Sequence, residues 1–237
     1  MEGRSLQRWA AAGAWAVDYG VGDRPDTTLE WAAALRAVAP SLGVVAVDAV
    51  PARVASAAPA LAAAGVCAAV GCFGEPPAER GPLALVRAMN LLRAHPPGEA
   101  RALLGQMVGR TAPGGVVWEG STCPRGAVLV AQRRVRGGVG EGLLFWTDFG
   151  QGFGPLLFKD RLPVGLRAEP AVERFFEAWG VAFTAARRLG EGPEAGFRRA
   201  GAALQDAGLP VQVVPGLAGG AGLWWAPLGG LPELVPR

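Results

Sequence analysis

The first half of the chain alternates short apolar runs with amphipathic or alanine-rich stretches. Residues 14–18 read as a first strand, 27–39 as a helix, 44–48 as a β-branched second strand and 52–64 as a second helix. A third strand over 66–70, a fourth over 83–87, a helix over 98–111 and a fifth strand over 116–119 carry the rhythm to Gly120. Such alternation is the signature of a parallel sheet built from βαβ units. The punctuation agrees with it. Thr27 can cap the first helix while Glu30 bonds back to the cap, and Pro40 stops it. Gly65 is placed to end the second helix, and Pro113-Gly114-Gly115 turns the chain into the fifth strand.

After Gly120 the pattern changes. Residues 127–134 and 143–149 flank a glycine-rich turn over 137–142, which predicts an antiparallel hairpin. Helices over 170–189 and 194–207 follow, then two closing strands over 211–214 and 223–226 around Gly219-Gly220. No period indicates a repeat architecture. The expected fold class is α/β: a doubly wound, Rossmann-like, mostly parallel seven-stranded sheet with a β-hairpin inserted after the fifth strand.

Composition narrows the classes. At 237 residues, 51% hydrophobic and 18% charged, the chain has ample core for one large domain and is excluded from intrinsic disorder. The uncharged run over 54–74 is long enough to span a membrane, but Pro59, Gly65, Gly71 and Gly74 interrupt a mostly alanine stretch. It reads as a helix and a buried strand, and no membrane is expected. Arg4 and Arg8 ahead of the apolar residues 9–17 faintly resemble a signal peptide, yet Asp18 ends the run and no cleavage site follows. Cys67, Cys72 and Cys123 are an odd set without metal-ligand spacing, so neither a disulfide framework nor a zinc site is indicated and a reducing cytoplasm is expected. A net charge of +3 is no argument for nucleic acid. Arg133, Arg134 and Arg136 read as a solvated hairpin face, and Phe175-Phe176 and Trp224-Trp225 as packing residues.

The candidate chemistry sits in Trp15-Ala16-Val17-Asp18-Tyr19-Gly20-Val21-Gly22-Asp23-Arg24-Pro25. An apolar strand runs into an acidic residue, then Gly-x-Gly, then a helix. Those glycines permit a tight turn and close backbone approach to a ligand. The second strand ends in Asp48, where a carboxylate can accept both hydroxyls of a ribose. Two ligand classes can use this geometry. A dinucleotide fingerprint would need glycine where Pro25 stands. An S-adenosylmethionine loop favours an acidic residue two before the first glycine, and Asp18 is there; a cationic sulfonium ligand gains from a nearby carboxylate, whereas a pyrophosphate does not.

On these residues the chain resembles the class I S-adenosylmethionine-dependent methyltransferases, and more narrowly a bacterial group whose glycine loop runs into a Pro-x-Thr-Thr helix start, here Pro25-Asp26-Thr27-Thr28. The likeness continues through Val44-Val45-Ala46-Val47-Asp48, Leu85-Val86-Arg87-Ala88-Met89-Asn90 and Pro113-Gly114-Gly115-Val116-Val117-Trp118-Glu119-Gly120. The resemblance implies a single domain over 1–237, with a cofactor-binding half at 1–120, an inserted hairpin or lid at 121–169 and closing helices and strands at 170–237. It implies that Asp18, Tyr19, Gly20 and Gly22 surround the methionine moiety, that Asp48 holds the ribose with Ala49 against adenine, and that Cys72 and Phe73 flank the adenine edge. Asn90 would lie where the methyl group meets its acceptor. Arg24 and Cys72 depart from the family pattern, which often has glycine and an acidic residue there; both departures predict weaker cofactor binding.

Plainer roles stand beside these. Asp48 can cap the helix that follows Pro51, Asn90 can be a turn residue, and Glu119 can be a strand-end residue bonding the Gly120–Thr122 turn. His95, the only histidine, is either a base or a solvated loop residue ahead of Pro96-Pro97. The leading expectation is methyl transfer from S-adenosylmethionine to a small-molecule acceptor, with Glu119 and His95 on the acceptor side and no dedicated base required. A non-catalytic binding module with a weakened cofactor site and a nicotinamide-dependent oxidoreductase are the alternatives. Nothing in the sequence indicates an oligomeric state.

Overall fold

Nine strands and seven α-helices are seen in the computed structural model, which describes residues 3–73, 81–138, 141–150, 152–214 and 220–226. In chain order they are α1 (Gly3–Ala11), β1 (Trp15–Tyr19), α2 (Asp26–Val38), β2 (Gly43–Asp48), α3 (Pro51–Ala63), β3 (Cys67–Val70), β4 (Leu83–Met89), α4 (Pro97–Arg110), β5 (Val116–Thr122), β6 (Val128–Val135), β7 (Gly142–Thr147), α5 (Leu156–Lys159), α6 (Pro170–Arg188), α7 (Pro193–Asp206), β8 (Val211–Val214) and β9 (Ala221–Trp225). The strand order is β3-β2-β1-β4-β5-β6-β7-β9-β8. The expectation of seven mostly parallel strands is therefore corrected to nine strands in a mixed sheet. The hairpin strands β6 and β7 raise the count, because β7 does not end in solvent but pairs antiparallel with β9 from Leu143↔Trp225 to Thr147↔Ala221. Gly74, residues 139–140 of the hairpin turn and Gly219 of the closing turn lie outside the described residues.

The chain divides into two compact units. The first holds the chain up to Met89 with Ala102–Trp118 and Arg134–Gly138. Its strands β1 to β4 are parallel: β1 pairs with β2 and with β4, and β2 pairs with β3. Val44, Val45, Ala46, Val47, Ala84, Leu85 and Val86 are all buried, as a sheet covered on both faces requires. The N-terminal apolar run over 9–17 divides between β1 and the end of α1, an amphipathic helix that puts Leu6 and Ala10 into this core. Gly43 has a packing reason: an added Cβ would stand 2.4 Å from the Trp15 indole lying over it. Gly65 ends α3 as expected, with φ 67° and with Gly65 N–H donating to the Ala62 carbonyl and Val66 N–H to the Leu61 carbonyl, the paired bonds of a Schellman close. Arg36 on α2 donates to the Ala64 and Gly65 carbonyls and so places a positive charge at the negative end of α3.

The predicted capping box at Thr27 does not form. The helix α2 starts one residue earlier, Pro25 stands at its N-cap, and no side chain caps it. Proline has no N–H and a fixed φ suited to a helix start, so the first turn needs less help. The adjacent Thr28 instead donates its hydroxyl to Asp18 Oδ2 at 2.6 Å. Arg87, the register partner of Asp18 across β1 and β4, completes this knot. Its Nε donates to Asp18 Oδ1 at 2.8 Å, its Nη2 to Asp18 Oδ2 at 2.6 Å and to the Thr27 carbonyl at 3.0 Å. The guanidinium also lies 4.8 Å over the Trp31 ring.

The second unit contains Asn90–Arg101, Glu119–Arg133 and the chain after Gly138. Here the pairings are antiparallel: β6 with β7, β7 with β9, and β8 with β9. Its core is dominated by aromatic rings from the sheet and from α5, α6 and α7. Phe145 is within 5.7 Å, centroid to centroid, of Phe158, Phe175, Phe176 and Trp179, and Phe175 stacks on Trp225 at 4.1 Å. The packing roles expected for Phe175-Phe176 and Trp224-Trp225 are thus met. The solvated arginine face is not. Arg133 is half-buried, its pKa pulled below the ordinary arginine range by desolvation, against the attraction of Glu141. Arg136, in the first unit, donates to the Thr111 carbonyl just past α4.

Among the described residues no helix is long and apolar enough to cross a membrane. Breaking the buried pair tests the first unit directly. Arg87→Leu leaves Asp18 charged and unpaired, and is expected to cost about 3–5 kcal/mol in urea denaturation, whereas Asp18→Leu with Arg87→Leu recovers most of the loss. A single-variant cost below about 1 kcal/mol would show that the pair is not what fixes β1, β4 and α2.

Candidate functional site

The carboxyl ends of β1 and β2 build a cradle of backbone and carboxylate. β1 ends at Tyr19, and the chain turns through Gly20 at φ 80° and Gly22 at φ 69°, a left-handed backbone that glycine adopts without penalty. Gly20 N–H donates to the Val47 carbonyl at 2.7 Å, which ties the turn to β2. Asp48 is 6% exposed and works with both oxygens: Oδ2 accepts from Gly22 N–H at 3.0 Å and Oδ1 from Val50 N–H at 2.9 Å. The bond to Val50 tightens the turn ahead of α3 but is not the helix cap expected of Asp48, since Val50 is the N-cap and no side chain caps α3. The bond to Gly22 reaches across strands and sets the glycine turn. A Cβ added at Gly22 would meet no atom within 4 Å, so the turn borders open space. Ala49 is exposed beside it. Arg53, in the first turn of α3, donates its Nε to Asp23 Oδ1 at 3.1 Å and holds Nη1 4.0 Å from Asp48 Oδ1.

Asp18 belongs to the strand rather than to the open face. It is 3% exposed, and both its oxygens are taken by Arg87 and Thr28. The guanidinium balances its charge, so Asp18 stands in an ion pair where the sequence suggested an open carboxylate. Tyr19 is buried and its ring stands 5.7 Å from that of Phe73, which follows β3. Cys72 is exposed and Phe73 half-buried. Asp18, Tyr19, Gly20, Gly22, Asp48, Ala49, Cys72 and Phe73 all lie in the first unit, at or just beyond the ends of β1, β2 and β3.

Asn90, His95 and Glu119 lie in the second unit. Asn90 is left-handed at φ 63°. Its Nδ2 donates to Thr122 Oγ1 at 3.0 Å, its Oδ1 accepts from Thr122 N–H at 2.9 Å, and its own N–H donates to the Gly120 carbonyl at 2.7 Å. Both ends of the amide thus clamp the chain to the end of β5. The His95 Nδ1 is 3.0 Å from Glu99 Oε1 at the start of α4, so the ring is paired rather than simply solvated. Glu119 is not at a strand end, since β5 runs on to Thr122. It is 2% exposed, and burial pushes its pKa up to about 7 against the pull of Arg167. Its carboxyl makes no bond to the Gly120–Thr122 segment among the described residues.

Sequence reasoning missed Arg87, Thr28 and Arg53. Arg87 carried a usable signal: a charge inside an apolar strand demands a partner, and an acidic residue stood at the end of the neighbouring strand. Arg53 carried none, because helix-start arginines are ordinary. Among the described residues no group of three or more His, Cys, Asp or Glu side chains is placed to hold a metal ion.

No protein-family model matches the chain, and no curated protein does. Solved structures of methyltransferases are similar to part of it. An O-methyltransferase, NcsB1, from neocarzinostatin biosynthesis, in complex with S-adenosylmethionine and 2-hydroxy-5-methyl naphthoic acid, is 22% identical, with a TM-score of 0.36 over 47% of this chain and 33% of that one. The mitomycin 7-O-methyltransferase MmcR is 18% identical, with a TM-score of 0.37 over 51% of this chain and 36% of that one. TrmN from Thermus thermophilus is 21% identical, with a TM-score of 0.36 over 60% and 46%. The chain spans about a third of the length of the first two. These overlaps are partial and their scores low, so the function is argued from the residues of the cradle.

The raised pKa of Glu119 carries a signed consequence. The folded state binds its proton more tightly than the unfolded state does, so stability is lost as pH rises from about 4.5 to about 7 and is level above that. Glu119→Gln keeps the shape and removes the ionisation. Its unfolding free energy relative to the parent is expected to climb across that interval by an amount on the order of 3 kcal/mol, read as a rising difference in melting temperature. Parallel melting curves of the two proteins would show that Glu119 is already ionised at low pH.

Proposed function

We propose that this chain binds S-adenosylmethionine at the ends of β1, β2 and β3 and transfers its methyl group to a small-molecule acceptor. One observation carries the reading: the bond from Gly22 N–H to Asp48 Oδ2, which locks a left-handed glycine turn against a strand-end carboxylate at the edge of open space. The residues fit an adenosine-bearing ligand. Each Asp48 oxygen accepts one backbone N–H and keeps a lone pair, enough for the two hydroxyls of a ribose. Gly22 leaves unfilled the volume that a side chain would take, and exposed Ala49 offers a flat apolar contact. Phe73, beside Tyr19, and the exposed Cys72 follow β3 and are the residues we propose for the edge of the purine.

The sulfonium supplies an activated methyl group, so the protein's work is alignment and exclusion of water. Asp48 orients the ribose and Gly20-Val21-Gly22 the adjoining chain. Asp18 contributes by holding the loop in place, and carbonyl oxygens of the turn would supply acceptors for the ligand's ammonium group. Glu119 and His95 are proposed for the acceptor side on their chemistry. A carboxyl with a pKa near 7 can take a proton from an acceptor at neutral pH. The exposed Cys72 accepts no adenine amino hydrogen as a carboxylate would, so binding is expected to be modest.

Isothermal titration of the full chain with S-adenosylhomocysteine is expected to give saturable binding. Asp48→Ala should weaken it by tenfold or more and cost about 1–2 kcal/mol of stability through the two lost backbone contacts. A fall in melting temperature with unchanged affinity would make Asp48 purely structural, and no heat at millimolar ligand would overturn the proposal. Gly22→Ala separates the two effects further. Its Cβ meets nothing within 4 Å, so backbone strain of about 1 kcal/mol falls on folding stability, and a loss of affinity would report a ligand in that space.

A further inference from the structure

The second unit holds a guanidinium that its own chain leaves unmatched. Arg161 lies in the turn after α5, half-buried, with its backbone N–H donating to the Phe158 carbonyl at 2.9 Å. Its side chain makes no ion pair among the described residues, and its Nε is sealed from solvent without a hydrogen-bond partner. A buried donor left unbonded is costly, more so on a charged group, and native chains rarely keep one. Arg167 shows what a structural arginine does in the same segment. Its Nε donates to the Leu162 carbonyl at 3.1 Å and its Nη2 to the Asp160 carbonyl at 3.4 Å, whereas Arg161 ties down nothing with its side chain.

The surroundings of Arg161 suit an anion. The guanidinium acts on Cys123, the residue after β5. Burial pushes the Cys123 thiol up, yet the backbone N–H groups of Val128, Arg125 and Ala127 together with Arg161 outweigh it and draw the thiol below its ordinary range. Backbone donors and a cation thus converge on one place, the composition of an anion-binding concavity. Asp148 N–H donates to the Ala127 carbonyl at 3.2 Å, which ties the end of β7 to the same turn. The next residue, Phe149, is left-handed at φ 63°. Among the described residues only Asn90 shares that backbone without being glycine, and it is clamped to Thr122 at the end of β5. Strain of this kind collects where ligands bind. The half-buried rings of Phe149 and Phe153, 5.9 Å apart, lie between β7 and α5 and supply an apolar surface.

We propose that Arg161 receives the acid group of an organic acid whose apolar body lies against Phe149 and Phe153, and that this acid is the methyl acceptor. The acceptor role rests on the methyl transfer proposed above; the acid site stands on Arg161 and its neighbours. A carboxylate that reaches the exposed part of the guanidinium can pair with its Nε edge through two parallel bonds, which gives the sealed Nε the partner its chain lacks.

Benzoate is the probe, with benzamide as its uncharged counterpart, each titrated calorimetrically into the full chain at neutral pH with and without saturating S-adenosylhomocysteine. Benzoate should bind saturably in the millimolar range or tighter, at least tenfold more tightly than benzamide. Arg161→Met keeps the apolar stem and removes the cation. It should weaken benzoate by tenfold or more and leave the affinity for S-adenosylhomocysteine and the circular dichroism spectrum unchanged. Its melting temperature should be no lower than the parent's, because no side-chain bond is lost. Arg161→Lys, which keeps the charge without the planar edge, should bind benzoate several-fold more weakly than the parent. Benzoate affinity unchanged in Arg161→Met, equal affinity for benzamide, or no benzoate binding at tens of millimolar overturns the inference. If benzoate binds through Arg161 while S-adenosylhomocysteine gives no heat, the acid site is supported and the methyl-transfer reading falls; S-adenosylhomocysteine binding with benzoate indifferent to Arg161 does the reverse.

Discussion

A single buried ion pair sets the geometry from which the candidate site is built. Asp18 and Arg87 face each other across neighbouring parallel strands, and the aspartate is nearly sealed from water. A charge in that position is tolerable only when its partner and its remaining lone pairs are satisfied. Here two guanidinium bonds, the Thr28 hydroxyl, the Thr27 carbonyl and the Trp31 ring close the account. Because Thr27 and Thr28 open α2 while Asp18 is the penultimate residue of β1, the knot anchors both ends of the loop between them. The loop has little freedom left, and the left-handed glycines at positions 20 and 22 accommodate the path that remains.

The two aspartates at the strand ends consequently divide their work. Asp18 is bound by both arms of one guanidinium and by a hydroxyl, which together fill three of its four acceptor positions. Asp48 is surrounded by backbone N–H groups, with the nearest guanidinium at 4.0 Å, and keeps acceptor capacity at the margin of open space. Dipoles orient a carboxylate without neutralising it, whereas a bidentate arginine does both. This asymmetry is why the ligand contact is assigned to Asp48 and the framework to Asp18, although spacing along the chain would weight Asp18 more heavily.

The parallel half was legible because its signals are local. β-branched runs, Gly65 and the apolar strand ends each report their own conformation, and the elements from β1 to β5 fall within a few residues of where periodicity puts them. What was not legible depends on contacts distant in sequence. The capping box at Thr27 obeys the local rule, but Pro25 pre-empts it and Thr28 bonds to a residue on another strand. The hairpin was visible as a hairpin; that β7 would pair with β9 required knowing which edge a segment far along the chain would take. The N-terminal run over 9–17 has the polarity of a weak leader but divides between the end of α1 and the start of β1, with Ala10, Ala14 and Ala16 in one core. In the site, Gly20, Gly22 and Asp48 were recognisable as a motif. The clamp that Asn90 forms on Thr122 was not, because an asparagine after a strand has the same appearance whether its amide is free or bonded.

Glu119 raises a question that packing alone does not answer. Its neighbours along β5, Val116 and Val117, are apolar and fully buried, so an apolar residue at 119 would suit the strand at no desolvation cost. The carboxyl instead is divided between its protonated and ionised forms near neutral pH, with Arg167 only partly offsetting the burial. A buried group poised between protonation states weakens the fold whenever it ionises, and such groups recur where a proton has to be taken up or released. The contrast with Asp18 is informative, since that aspartate is equally buried yet fully paired. Asp18 is locked to a guanidinium and a hydroxyl for structure; Glu119 is placed so that its charge can change.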